Sequence, residues 1–176
     1  MEDSEALMIP HDRIGALIGP GGTTKRLIEK KTGTKITVDS SEGEIEIEGK
    51  GDAFKYWKAI KVVKAIGRGF SPEHAMRLLN DEAIFELIEI QDFTGKSENA
   101  IKSKRGRVIG EHGMARDTIE RETGANISVY GKTVGIIGMP DEVEKAKKAV
   151  SALLLGAGHE GVFHRLERGS SEGFEL

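Results

Sequence analysis

The chain has 176 residues, with 26 Lys and Arg against 29 Asp and Glu for a formal net charge of −3. That length allows one domain or two small ones, and the charge excludes a uniformly basic nucleic-acid binder. There is no cysteine, hence no disulfide framework and no thiolate metal site.

In chain order, Ala6 to Pro10 reads as a short strand, and Asp12 is a suitable N-cap for a helix over Arg13 to Ile18. The glycine loop Gly19-Pro20-Gly21-Gly22 follows, then Thr23 as the cap of a second helix to about Thr32, with Gly33 as its C-cap. Lys35 to Asp39 and Glu44 to Glu48 alternate apolar and polar residues and predict two strands joined by Ser40-Ser41-Glu42-Gly43. Asp52 to Ile66 carries apolar residues at Ala53, Trp57, Ile60 and Val63 or Lys64, a helical stripe that puts Trp57 and Phe54 in the core. Gly67 to Glu73 then leads into a short helix started by Ser71 and Pro72 and running to about Leu79, a structured linker rather than a flexible one.

The same order returns. Ile84 to Ile90 reads as a strand, and Asn99 to Ile109 as a helix whose start is expected to be irregular around Lys102 to Gly106. After the loop Gly110-Glu111-His112-Gly113 come a helix over Met114 to Thr123 and a hairpin, Ile127 to Tyr130 and Thr133 to Ile137, turning at Gly131-Lys132. Pro140 opens a last helix through about Leu155, and His159 and His164 fall in an expected surface tail. The two halves are in register, since 110 minus 19, 124 minus 33 and 127 minus 36 are all 91. A glycine loop alone says little, whereas a loop duplicated with its flanking elements indicates two copies of one module.

Charge is unevenly spread. Residues 13 to 35 hold Arg13, Lys25, Arg26, Lys30, Lys31 and Lys35 against Glu29, a balance of +5. Residues 102 to 126 hold Lys102, Lys104, Arg105, Arg107, Arg116 and Arg121 against Glu111, Asp117, Glu120 and Glu122, a balance of +2. Both loops thus sit in locally basic segments of an acidic chain. Small loop residues let the main chain approach phosphates, and the N-terminus of the following helix offers N–H groups to an anion.

Ile-Gly-x-x-Gly between two helices, followed by Thr-Gly and a strand, resembles the KH RNA-binding domain, and a strand before the first helix resembles its type I arrangement. The resemblance implies an α+β chain with two β-α-α-β-β-α modules, each a three-stranded sheet against three helices. The expected organisation is a first KH domain over 1–67, a helical linker over 68–83, a second KH domain over 84–156 and a C-terminal tail over 157–176. In KH modules the loop clamps the backbone of a single strand. This assigns RNA contact to Gly19, Pro20, Gly21, Gly22, Lys25 and Arg26 in the first copy, and to Lys104, Arg105, Arg107, Gly110, Glu111, His112, Gly113 and Arg116 in the second. Both copies depart from the usual pattern by a basic residue, Lys25 or Arg116, three positions after the last loop glycine, where an apolar one is usual.

The strings Ala65 to Glu73 with Arg77-Leu78-Leu79, Arg105 to Gly110 and Val129 to Val134 are similar to the archaeal branch of the "partner of Nob" small-subunit assembly family, over residues 6 to 168. That resemblance implies binding near the 3′ end of small-subunit ribosomal RNA, contact with the Nob assembly nuclease, and contact with the alpha subunit of translation initiation factor two. It favours the second module as the RNA reader through its Arg-Gly-Arg-x-Ile-Gly string. Local charge favours the first.

Other function classes fare worse. Gly19 to Lys25 has the outline of a P-loop, but that fingerprint needs Gly-Lys followed by Ser or Thr, and here Thr24 precedes Lys25 and Arg26 follows. The five histidines have no metal-ligand spacing, so neither catalysis, a metal nor a cofactor is expected. The acidic start Met1-Glu2-Asp3-Ser4-Glu5 is the reverse of a basic secretory leader, and no apolar run approaches a membrane span, so a cytoplasmic protein without membrane contact is expected. The alternative is a KH-derived protein-interaction scaffold, motivated by Glu111 and the acidic turn Ser41-Glu42, or a general RNA regulator.

Overall fold

A computed structural model of the chain describes residues 2–172, so residues 173–176 of the expected tail lie outside the described residues. The chain divides into two compact units, one ending at Asp81 and one beginning at Glu82. Each unit contains a three-stranded antiparallel sheet.

In the first unit the elements are β1 (Glu2–Met8), α1 (His11–Ile18), α2 (Thr23–Thr32), β2 (Thr34–Asp39), β3 (Glu44–Lys50), α3 (Ala53–Gly67) and the short α4 (Pro72–Ala75), which continues as a 3-10 turn over Met76–Leu79. The sheet order β1-β3-β2 makes β3 central, with Ile47 opposite both Glu5 and Ile36. Alternation places Ile45 and Ile47 of β3 in the core and leaves Glu44 and Glu46 exposed. The second unit repeats this with β4 (Ile84–Glu89), the short α5 (Gln91–Thr94), α6 (Glu98–Ile109), α7 (Met114–Thr123), β5 (Asn126–Tyr130), β6 (Thr133–Gly138) and α8 (Pro140–Leu154), in sheet order β4-β6-β5. Central β6 is buried along its whole length.

Several boundaries differ from the sequence reading for identifiable reasons. β1 covers Glu2–Met8, not Ala6 to Pro10, because its polar residues pair along the full length of β3, an advantage that local propensity does not register. Asp12 does not cap α1: Pro10 is the N-cap, and Asp12 sits in the first turn, where its charge suits the helix dipole. Thr23 is already helical, and left-handed Gly22 occupies the cap position of α2. α6 runs without interruption from Glu98, its N-terminus capped by the Ser97 hydroxyl, which accepts from the Ala100 N–H at 3.4 Å.

The linker helix lies on α3 and completes the first unit, with Phe70 and Leu78 almost fully buried. The second unit carries an extra helix, α9 (His159–Glu172), packed on α7 and α8 through Val162, where a surface tail was expected. His159 is therefore partly enclosed, and its Nε2 lies 2.8 Å from the Arg107 carbonyl oxygen.

The core face of α3 is also rotated from the expected one. Tyr56, Ala59, Ile60 and Val63 are buried, whereas Trp57 is 54% exposed and Phe54 83% exposed. Gly49 of β3 makes room for this: a Cβ there would lie 2.6 Å from Cδ2 of Tyr56. Burial raises the Tyr56 hydroxyl pKa above its ordinary value, and Glu5 and Asp3 add to the shift. Replacing Tyr56 by Ala is expected to cost about 3 kcal/mol, while Trp57→Ala costs about 1 kcal/mol or less, as urea unfolding of the two variants will show.

Candidate nucleic-acid interface

Both glycine loops adopt one backbone. Gly19 has φ 72° and ψ 172°, and Gly110 has 74° and 176°. Gly21 has 60° and 23°, and His112 has 52° and 27°. Gly22 and Gly113 close the loops at 78°, 15° and 75°, 9°. The opening residue lies in a region that only glycine populates readily. A Cβ on Gly19 would fall 2.8 Å from the Thr24 N and closer still to its side chain, and one on Gly110 would fall 2.7 Å from the Ala115 N. The following helix therefore begins directly against the loop. His112 is the one non-glycine residue with positive φ among the described residues, so the second loop keeps the geometry at some cost in backbone strain.

Cations are carried by the helices that flank both loops. Arg26, Lys30 and Lys31 in the first unit, and Lys102, Lys104 and Arg105 in the second, make no ion pair or hydrogen bond among the described residues. The Arg105 Nε is in addition buried without a partner. Arg26 extends over the last glycine of its loop, with Nη1 3.2 Å from where a Gly22 Cβ would be. Arg116 does the same in the second loop, with Nη2 3.6 Å from a Gly113 Cβ. The two arginines are four and three residues past their glycines, so different spacings bring a guanidinium to the same place. Glu111 and His112 are both highly exposed, with Oε1 and Nε2 3.7 Å apart.

Residues 4–60 match the KH domain, and residues 84–171 match the eukaryotic-type KH domain, KH-domain type I. A KH domain-containing protein of Methanocaldococcus jannaschii is 47% identical over 93% of this chain and 73% of its own length. The chain belongs to the tandem KH family of Dim2 and partner-of-Nob proteins. The crystal structure of Dim2p from Pyrococcus horikoshii is 47% identical, with a TM-score of 0.86 over 94% of this chain and 99% of that one. A second structure, described as an a/eIF2alpha-aDim2p-rRNA complex from the same organism, is 46% identical, with a TM-score of 0.90 over 97% of this chain and 96% of that one. The nematode RNA-binding protein pno-1 of Caenorhabditis briggsae is 28% identical over 84% of this chain, which spans 55% of that relative's length.

In the first KH module an open groove runs beside the loop between α2 and β2, lined by Ile18, Lys25, Glu29, Lys35, Ile36 and Val38 among others. β2 is an edge strand, whose outward N–H and C=O groups lack strand partners. At Ile36 the protein itself occupies them: Glu29 Oε1 accepts from the Ile36 N–H at 2.8 Å, and Lys25 Nζ donates to the Ile36 carbonyl at 3.2 Å. Lys25 also lies 3.5 Å from Glu29, and its counterpart Arg116 lies 3.5 Å from Glu120. The basic residue that departs from the usual KH pattern thus forms an ion pair one turn along the helix in both modules. Glu29 and Glu120 are themselves 91 residues apart, a signal the sequence reading passed over.

The second module has an open groove on another side of its loop, lined by Gly106, Arg107, Gly110, Glu111, Met114 and Ala115, with His159 and Phe163 of α9 closing it. Arg107 was assigned to RNA; its Nε donates to the Leu153 carbonyl at 3.0 Å and an Nη2 hydrogen bond goes to the Ala157 carbonyl, so it ties the end of α8. Arg13 does the same for α3, donating to the carbonyls of Ile66 and Phe70, both at 2.8 Å. Among the described residues no group of three or more His, Cys, Asp or Glu side chains could hold a metal, and no helix is long and apolar enough to cross a membrane.

Gly110→Ala is expected to lower stability by about 2 kcal/mol, whereas His112→Gly shifts it by less than about 1 kcal/mol because strain relief and lost chain stiffness oppose each other; thermal unfolding distinguishes them. Removing the acceptor with Glu29→Ala should speed hydrogen exchange of the Ile36 amide by about tenfold or more, measured by NMR, with little change at the buried amides of β3.

Proposed function

We propose that this protein is a non-catalytic binder of single-stranded RNA that holds a segment near the 3′ end of small-subunit ribosomal RNA during ribosome assembly. The observation that carries the reading is the duplicated loop backbone. Two clamps of matching geometry, each opening onto a helix N-terminus with a guanidinium over its last glycine, suit phosphates spaced along one strand. Gly19 to Gly22 with Arg26, and Gly110 to Gly113 with Lys104, Arg105 and Arg116, form the two contact sets. Lys25 and Arg107 support them from behind.

The Pyrococcus complex that contains a/eIF2alpha and rRNA supports a ribosomal target and the alpha subunit of translation initiation factor two as a partner. The family to which the chain belongs supports a role beside the Nob assembly nuclease. A soluble protein acting in the cytoplasm follows from the same reading. Exposed Glu111, which repels phosphate unless it turns away or accepts from a base, motivates the competing view of a protein-binding scaffold.

Nothing lies within 4 Å of a Cβ at Gly21, and aspartate tolerates left-handed backbone, so Gly21→Asp and His112→Asp introduce charge without disrupting the loops. Each substitution is expected to weaken binding of an oligonucleotide carrying the ribosomal 3′-end sequence by about 1–3 kcal/mol, read by fluorescence anisotropy, with affinity falling as salt rises. Unchanged RNA affinity in both variants, with an initiation-factor subunit still bound, would leave the scaffold as the better account.

A further inference from the structure

The exposed face of α3 takes no part in either clamp. α3 contains Lys55, Lys58, Lys61 and Lys64 and no carboxylate, in a chain whose net charge is −3. Phe54, Trp57, Lys61 and Lys64 follow at steps of three, four and three residues, so they share one side of the helix, opposite buried Tyr56, Ala59 and Val63. The two aromatic side chains are mostly in solvent, at 83% and 54% exposure. Trp57 meets Tyr56 in a T-shaped contact, ring centres 5.9 Å apart at 64°, which steadies the indole while leaving more than half of it in water. Lys58 is bonded to Asp81, and Lys64 lies 3.6 Å from Glu5, whereas Lys55 and Lys61 have no partner among the described residues.

We propose that this face is a second single-stranded RNA contact, in which bases stack on Trp57 and Phe54 while Lys61 meets phosphate. An exposed pair of aromatics costs solubility unless something covers it, and the unpaired Lys61 beside them complements a polyanion. A second copy of the chain fits poorly, because like faces would bring lysines together. RNA satisfies both halves of the face at once: every base offers a flat ring to stack, and every linkage offers a charge.

Trp57 is the only tryptophan in the chain, so its emission reports this face and nothing else. Titrating an unstructured oligouridylate into the full chain should quench Trp57 fluorescence saturably. The quenching should persist in the double variant Gly21→Asp, His112→Asp, which separates this site from the clamps. In that background Trp57→Ala should weaken binding of labelled oligouridylate by about tenfold, and Lys61→Ala should reduce the logarithmic salt slope by roughly 0.7. RNA that binds with Trp57 emission unchanged, or quenching that disappears with the clamps, would overturn the proposal and leave the face to a protein partner. No RNA binding in any variant would overturn both this proposal and the clamp reading.

Discussion

The tight contact between each loop's first glycine and the start of the next helix is the constraint on which the binding architecture rests. Gly19 and Gly110 hold a conformation that a side chain would both strain and fill, and this lets α2 and α7 begin directly against the loop. The loop backbone and the helix N-terminus therefore face the same small volume. Relaxing the turn would separate them, and the local concentration of N–H groups and cations would be lost with it.

The surrounding electrostatics follow from which cations are already committed. Lys25 is held by Glu29 and the Ile36 carbonyl, and Arg107 and Arg13 by carbonyls at the ends of α8 and α3. A guanidinium that bridges a helix end and the loop after it stabilises by charge-assisted hydrogen bonds and by the helix dipole. Those residues build the platform, whereas Arg26, Lys104 and Arg105 remain available to a ligand. The net charge of −3 was consequently a poor guide to the surface that matters.

Helix α3 illustrates how a correct periodicity can select the wrong face. The expected stripe through Trp57, Ile60 and Val63 and the observed one through Tyr56, Ala59, Ile60 and Val63 share two members, so hydrophobic spacing alone separates them weakly. The decision came from Gly49 on the preceding strand β3, whose missing side chain admits the Tyr56 ring. The same reasoning applies to α9: the sequence after Leu155 has few apolar residues, and only the exposed flank of α7 and α8 made Val162 a core residue.

The sequence by itself determined the duplication, the strand and helix order common to the two modules, the left-handed cap at Gly33 and the short helix begun by Ser71 and Pro72, because these depend on local backbone chemistry and a constant offset of 91. It also located both loops. Tertiary structure decided which charges are spent and which faces are buried: Arg107 turned to Leu153, Glu29 to the edge of β2, Arg26 to its loop, and Trp57 to solvent. The physical reason is that caps and turns are set by near neighbours along the chain. A side chain's partner is chosen by whatever the fold brings within hydrogen-bonding or packing distance.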